Sequence, residues 1–201
     1  PPVKLRSCID VGNRESNVDK NFADKILELH RLRPLHGCKL GDKRGGPFNI
    51  HSWDVGYNGE ITHKERELMS QIMKERRKKK WAAQKGIVWM DGMPLTAAEI
   101  ATFNHSSGLK TMLDRLVELK YLRLEKPKDL VDGKRMYKQD AEEGYNICKG
   151  KLSFPISKIL DPEGIAPTLT ATDAHKLAVI VGDTCLRTLS AQEMSSICGF
   201  P

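Results

Sequence analysis

Residues 96–138 read TAAEIATFNHSSGLKTMLDRLVELKYLRLEKPKDLVDGKRMYK, and the fold turns on this stretch. It opens on Thr96-x-x-Glu99, a capping box in which hydroxyl and carboxylate satisfy the orphan amides of a helix start. That predicts a short helix through Phe103, closed by the tight turn NHSSG. A longer helix follows, with Leu109, Met112, Leu113, Leu116 and Val117 at i, i+3, i+4, i+7 and i+8, an apolar stripe along one face. YLRLEKPK and RMYK then read as two strands joined by a hairpin at Asp132-Gly133.

Upstream, Thr62-x-x-Glu65 is a second capping box. It predicts a helix running to Lys85, with Leu68, Met69, Ile72 and Met73 inward and Gly86 as its stop. Long helix, short helix, tight turn, amphipathic helix and two-stranded wing is the order of a winged helix, expected over residues 62–140. Its third helix would leave Ser107, Lys110, Thr111, Asp114 and Arg115 outward. In helix-turn-helix proteins that part of the helix enters the major groove, where Arg and Lys donate to guanine O6 and N7. Lys126, Lys128, Lys134 and Arg135 of the wing suit phosphates, whereas Asp114 and Asp129 spoil an otherwise basic face.

Charge supports an anionic partner. The formal charge is +7 over 201 residues. Residues 61–90 alone carry nine basic and three acidic side chains, nearly the whole excess. Such a stripe suits nucleic acid, because neutralised phosphates release counterions. The run Arg76, Arg77, Lys78, Lys79, Lys80 lies within it. On a helix five consecutive residues point in almost all directions, so a solvated face competes with phosphate contact. No apolar run approaches the roughly 20 residues of a membrane span, and no signal-peptide core is visible.

The flanks complete an α+β chain. Residues 1–61 read as a linker of about ten residues, a helix over 19–33 bearing Phe22, Ile26 and Leu29, and a Gly-rich loop and edge-strand segment with a turn at Tyr57-Asn58-Gly59. The Gly-rich GDKRGG lacks the Lys-Ser/Thr of a phosphate loop and reads better as a flexible DNA-contacting loop. Arg44, Asn49 and His51 are its candidate contacts. Residues 141–201 read as short strands and Pro/Gly turns, a buried strand LAVIV, and a last helix opened by the capping box Ser190-x-x-Glu193. The six histidines show no metal-ligand spacing. The five cysteines, Cys8, Cys38, Cys148, Cys185 and Cys198, are odd in number without a Cys-x-x-Cys pair; buried thiols in a reducing compartment are expected.

Pro167-Thr168-Leu169-Thr170-Ala171-Thr172 is followed by Arg187-Thr-Leu189-Ser190-Ala-Gln-Glu193 and, after five residues, Gly199-Phe200-Pro201. This resembles the DNA (cytosine-5) methyltransferases, which carry a Thr-Leu-Ser/Thr strand, an Arg-x-Leu-Ser/Thr-x-x-Glu motif and a Gly-Phe-Pro ending. The middle segments GGPFNIHSWDVGYNGEI and ERRKKKWA are more loosely similar to the recognition region of one subgroup. The family's Pro-Cys nucleophile, its Glu-Asn-Val and its Phe-x-Gly-x-Gly cofactor loop do not occur here: Ser7, Gly37, Ile147, Thr184 and Ile197 precede the five cysteines.

The resemblance therefore implies a target recognition domain. The expected fold is α+β: the winged-helix-like module read from the order of elements, which would depart from the loop-based recognition of well-known members, combined with the small irregular β domain that the resemblance implies, in a bacterial or phage enzyme of the cytoplasm. The full enzyme would use S-adenosylmethionine; this part would bind no cofactor or metal and would be inactive alone. Its partners would be double-stranded DNA and the catalytic part of the same polypeptide. Thr168 and Thr170 would touch the DNA backbone, and Arg187 would either organise the domain or touch DNA. The residues themselves add Arg76, Arg77, Lys78 and Lys79 for phosphates, and Ser107, Lys110, Thr111, Arg115 or the loop from Arg44 to His51 for bases. A free-standing winged-helix regulator and a protein-interaction module are the rival readings; the regulator gives no reason for the terminal motif.

Overall fold

A computed structural model describes residues 4–88, 92–148, 154–166, 168–170 and 173–200. In chain order the elements are α1 (Lys20–Leu32), β1 (Lys39–Leu40), β2 (Asn49–Ile50), α2 (His63–Glu75), α3 (Lys79–Gln84), α4 (Ala97–Ala101), α5 (Leu109–Glu118), β3 (Leu122–Glu125), β4 (Lys128–Val131), β5 (Lys134–Tyr137), β6 (Gly144–Ile147), β7 (Lys158–Ile159), β8 (Leu177–Val181), β9 (Cys185–Thr188) and α6 (Ala191–Ile197). Two compact units form. One gathers Pro1–Gly41, Gly46–Val55 and Lys151–Pro201, the other Asp42–Gly45 and Gly56–Gly150.

The first unit is built on a mixed sheet of order β2-β1-β7-β8-β9. Side chains alternate between the faces of a strand, so LAVIV is apolar throughout because both faces of β8 are covered. Ala178 and Ile180 join the cluster formed with Phe22, Ala23, Ile26 and Leu27 of α1. Leu177, Val179 and Val181 join Leu5, Leu160 and Leu189, against which Met194 and Ile197 of α6 pack. Asp19 caps α1 by accepting from the Phe22 amide at 3.0 Å.

The N-terminal segment departs from the linker expectation. Leu5 is buried in the second apolar cluster, its amide donates to Gly164 O at 2.9 Å and the Arg6 amide to Pro162 O at 2.8 Å. One buried leucine holds the segment, too sparse a signal to show as periodicity.

The second unit holds α2–α5, the pair β3-β6 and the hairpin β4-β5. Both capping boxes form as read, at Thr62–Glu65 and Thr96–Glu99. Leu68, Met69, Ile72, Met73, Leu113 and Leu116 are buried. Three local expectations change. The single helix over 62–85 divides, because Arg76 O accepts from Met93 N at 2.9 Å instead of continuing the helical ladder. The Tyr57-Asn58-Gly59 hairpin does not form: Tyr121 Oη accepts from the Asn58 amide at 2.9 Å and donates to Gly59 O at 2.8 Å. YLRLE does not pair with RMYK either. β3 pairs with β6, setting buried Leu122 opposite buried Ile147, and β4 pairs with β5 across Asp132 and Gly133. Those two residues have φ of 49° and 74°, as the tight mirror-image hairpin turn requires.

Candidate nucleic-acid interface

The C-terminal motif is a buried hub in the first unit. Arg187 and Glu193 are 1% and 2% exposed. Arg187 Nη1 donates to Glu193 Oε2 at 2.7 Å and Nη2 to Oε1 at 2.6 Å, a paired fork. Its remaining donors reach Asn13 O at 2.8 Å, Asp10 O at 2.9 Å and Thr188 O at 3.1 Å. Glu193 also accepts from the Asp10 and Ser190 amides, each at 2.8 Å. Burial works against its ionisation, but Arg187 and the two amides win, and the carboxyl falls to about 2. Leu189 is buried and Ser190 caps α6. Arg187 therefore organises the unit rather than facing solvent. Its partners Asp10 and Asn13 went unread in the sequence, since only the fold brings a segment 174 positions away against it.

Around that hub Thr168 and Thr170 are exposed while Leu169 packs on the apolar cluster. Residues 168–170 carry no strand pairing; the Thr170 carbonyl accepts from the Asp173 and Ala174 amides instead. Gly199 and Phe200 are exposed beyond α6. Pro167, Ala171, Thr172 and Pro201 lie outside the described residues. Asn49, on β2, is half-buried. His51 is buried, stacked on Trp53 with centroids 4.4 Å apart and 3.0 Å from Asp54 Oδ2 through Nδ1. It is not the loop histidine on the surface that the sequence suggested.

In the second unit the basic run divides with the helix. Arg76 is fully buried and donates to Asn146 Oδ1 at 2.6 Å, so it is no surface cation. Asn146 in turn donates to Gly92 O at 3.0 Å and to Glu125. Arg77 is half-buried; Lys78, Lys79 and Lys80 are exposed at the turn into α3. Lys78 pairs with Glu75, and Lys80 lies 3.6 Å from the same carboxylate and 4.1 Å over the Trp81 ring. Burial opposes ionisation of Glu75, yet Lys78, Lys80 and Trp81 hold its carboxyl below the ordinary range.

Ser107, Lys110, Thr111 and Arg115 are exposed around α5, as its stripe required. Two of them are committed. Arg115 bridges buried Glu65 and the Glu60 carbonyl, the latter at 2.8 Å. Lys110 pairs with Asp114, one turn on. Burial opposes ionisation of Glu65, but the Arg115 and Thr62 bonds hold its carboxyl low. Lys134 and Arg135 are exposed on β5, and Arg44 is exposed in the tetrapeptide that joins this unit.

One grouping of metal-ligand types occurs among the described residues: His30, His36 and Asp183. His30 Nδ1 accepts from the Leu35 amide at 3.0 Å, which leaves the proton on Nε2, 3.3 Å from Asp183 Oδ1. A nitrogen that carries a proton cannot ligate a cation, and His30 Nε2 faces Asp183 as a hydrogen-bond donor instead. Burial pushes the Cys38 and Cys148 thiols up, away from the nucleophilic thiolate. No helix among the described residues is long and apolar enough to cross a membrane.

No family model matches the chain, and no solved structure matches it. Curated proteins do. Over all 201 residues it is 44% identical to the Type II methyltransferase M.NlaIV of Neisseria lactamica and 43% identical to M.NgoBV of Neisseria gonorrhoeae. It is 35% identical to M.BanI of Aneurinibacillus aneurinilyticus over 203 aligned positions. The alignments take in 47%, 47% and 40% of those proteins, so the chain spans about half the length of the relatives it matches. From end to end, this chain is homologous to one part of the Type II methyltransferases.

Proposed function

We propose that the chain is the target recognition domain of a DNA (cytosine-5) methyltransferase. It would choose the site on duplex DNA while the rest of the polypeptide moves methyl from S-adenosylmethionine to carbon 5 of a cytosine. The observation that carries this reading is the Arg187–Glu193 hub. Each fixed position of the Arg-x-Leu-Ser-x-x-Glu motif has a physical role in it, as fork, apolar anchor, cap and counter-charge in turn. The end-to-end similarity to Type II methyltransferases agrees with it.

Within this reading Arg77, Lys78 and Lys79 meet phosphates from the turn before α3, Thr168 and Thr170 meet the sugar-phosphate backbone, and residues 62–140 act as a winged-helix-like module. The remainder of the polypeptide holds S-adenosylmethionine in this reading; the Gly-rich segment of this chain, residues 41–46, joins two parallel strands and opens no helix.

Labelled S-adenosylmethionine tests the reading. The 201-residue chain with DNA should transfer nothing. The polypeptide that carries it should methylate cytosine at carbon 5, scored by base-resolution conversion sequencing. Methyl on an exocyclic amino nitrogen would refute the cytosine-5 assignment, and transfer by the chain alone would refute the recognition-domain assignment.

A further inference from the structure

We infer that the β4–β5 ribbon, rather than α5, reads base edges in the major groove; this rests on the recognition-domain reading above. The sequence placed Lys134 and Arg135 against phosphates and gave the bases to α5 or to the loop from Arg44 to His51. The side-chain partners reverse that assignment. Two cations of α5 are tied down, Arg115 by Glu65 and the Glu60 carbonyl, Lys110 by Asp114. Among the described residues Lys134 and Arg135 make no ion pair or side-chain hydrogen bond, and every residue from 130 to 137 is exposed.

The ribbon's register separates a base-reading element from a phosphate clamp. Residues directly opposite in an antiparallel pair share a face. Leu130 stands opposite Arg135, and Val131 opposite Lys134. Each face of the tip thus sets one donor beside one aliphatic side chain, and these are half-exposed, at 47% for Leu130 and 48% for Val131. Phosphates offer nothing to an aliphatic group, whereas a groove floor offers thymine methyls as well as guanine acceptors. Asp132 sits at the turn itself; a phosphate repels it, while the N4 amino group of cytosine donates to it. Over residues 126–138 five basic and two acidic side chains leave +3, complementary to a duplex. The two-residue turn keeps the ribbon slim, and a two-stranded ribbon fits the roughly 12 Å width of the major groove.

The test is methylation mapped on a randomised duplex library with the full polypeptide. Arg135→Ala and Lys134→Ala should each relax discrimination at one or two base pairs, on the order of tenfold to a hundredfold. Arg135→Lys should relax the same pair, because an ammonium cannot supply the paired fork. Lys110→Ala and Thr111→Ala on α5 should keep the wild-type site. Circular dichroism should be unchanged in all of them, since none is buried. Wild-type site choice in the ribbon variants would overturn the inference. So would a uniform loss of affinity with a salt slope lower by about 1, the mark of a phosphate contact. If the wild-type polypeptide modified DNA with no sequence preference, the recognition-domain reading itself would fail, and this inference with it.

Discussion

Glu193 joins three segments of the first unit through one carboxylate, and its protonation should be felt by the whole unit. An ordinary Glu titrates near ~4.3, whereas Glu193 is held at about 2. A depressed carboxyl adds stability that is present above the ordinary value and disappears as pH falls through the folded one. The window therefore runs from about pH 4.3 down to pH 2 and is worth on the order of 3 kcal/mol. Urea unfolding across that range should show the loss, and Glu193→Gln should flatten it. Arg187→Ala leaves a buried carboxylate without its cation and should cost about 3–5 kcal/mol at pH 7. The double variant Arg187→Ala, Glu193→Gln should cost less than the sum of the two changes. Arg76 and Lys79 make a second contrast three residues apart. Arg76→Ala empties a buried site bonded to Asn146 and should lower the urea midpoint strongly. Lys79→Ala, at an exposed position, should leave the midpoint alone and lower the salt slope of DNA binding by about 0.9.

At the level of elements, the capping boxes at Thr62, Thr96 and Ser190 were legible because a cap is local: two side chains three residues apart suffice. All three form with both reciprocal bonds. Thr96→Ala should cost about 1 kcal/mol by thermal unfolding. Strand partners were less legible. LRLE could pair with either downstream strand by alternation alone, and what selects β6 is burial of Leu122 against Ile147. Gly144 marks the tightest point of that arrangement. A Cβ there would stand 2.7–2.8 Å from the backbone of Leu95, which bridges Tyr145 through amide bonds of 2.7 and 3.0 Å. Gly144→Ala should therefore cost about 1–3 kcal/mol, with loss of amide protection at Leu95 and Tyr145 in hydrogen exchange. If those amides stay protected, the close approach is not what holds β6.

At the scale of the whole molecule, neither unit is a continuous piece of chain. The sheet of the first unit takes β1 and β2 from the N-terminal part and β7–β9 from the C-terminal part. A fragment of residues 151–201 loses Phe22, Ile26 and Leu27 of α1 from one face of that sheet and Leu5 from the other. Expressed alone it should be unfolded by far-ultraviolet circular dichroism. Residues 42–150, which carry every segment of the second unit, should give a dispersed NMR spectrum. The net +7 should make DNA binding by the whole chain weak and steeply salt-dependent.

Sequence alone determined whatever a few neighbouring residues can decide. The caps, the stripe of α5, the covered strand LAVIV, the turn at Asp132-Gly133 and the Arg187–Glu193 motif all depend on residues close together in the chain. Only the tertiary structure decided where charged side chains end up, because that depends on partners far along the chain. Arg76 and Lys79 look alike in ERRKKK, yet Asn146, 70 positions away, takes the first into the interior. Arg115 stands on the outer face of α5, and only the fold supplies its partner, Glu65, 50 positions back. Arg187 looked equally able to touch DNA or organise the fold. Burying a cation is costly unless it is paired and fully hydrogen-bonded, and Glu193, Asp10 and Asn13 supply that pairing only once the two ends of the chain meet.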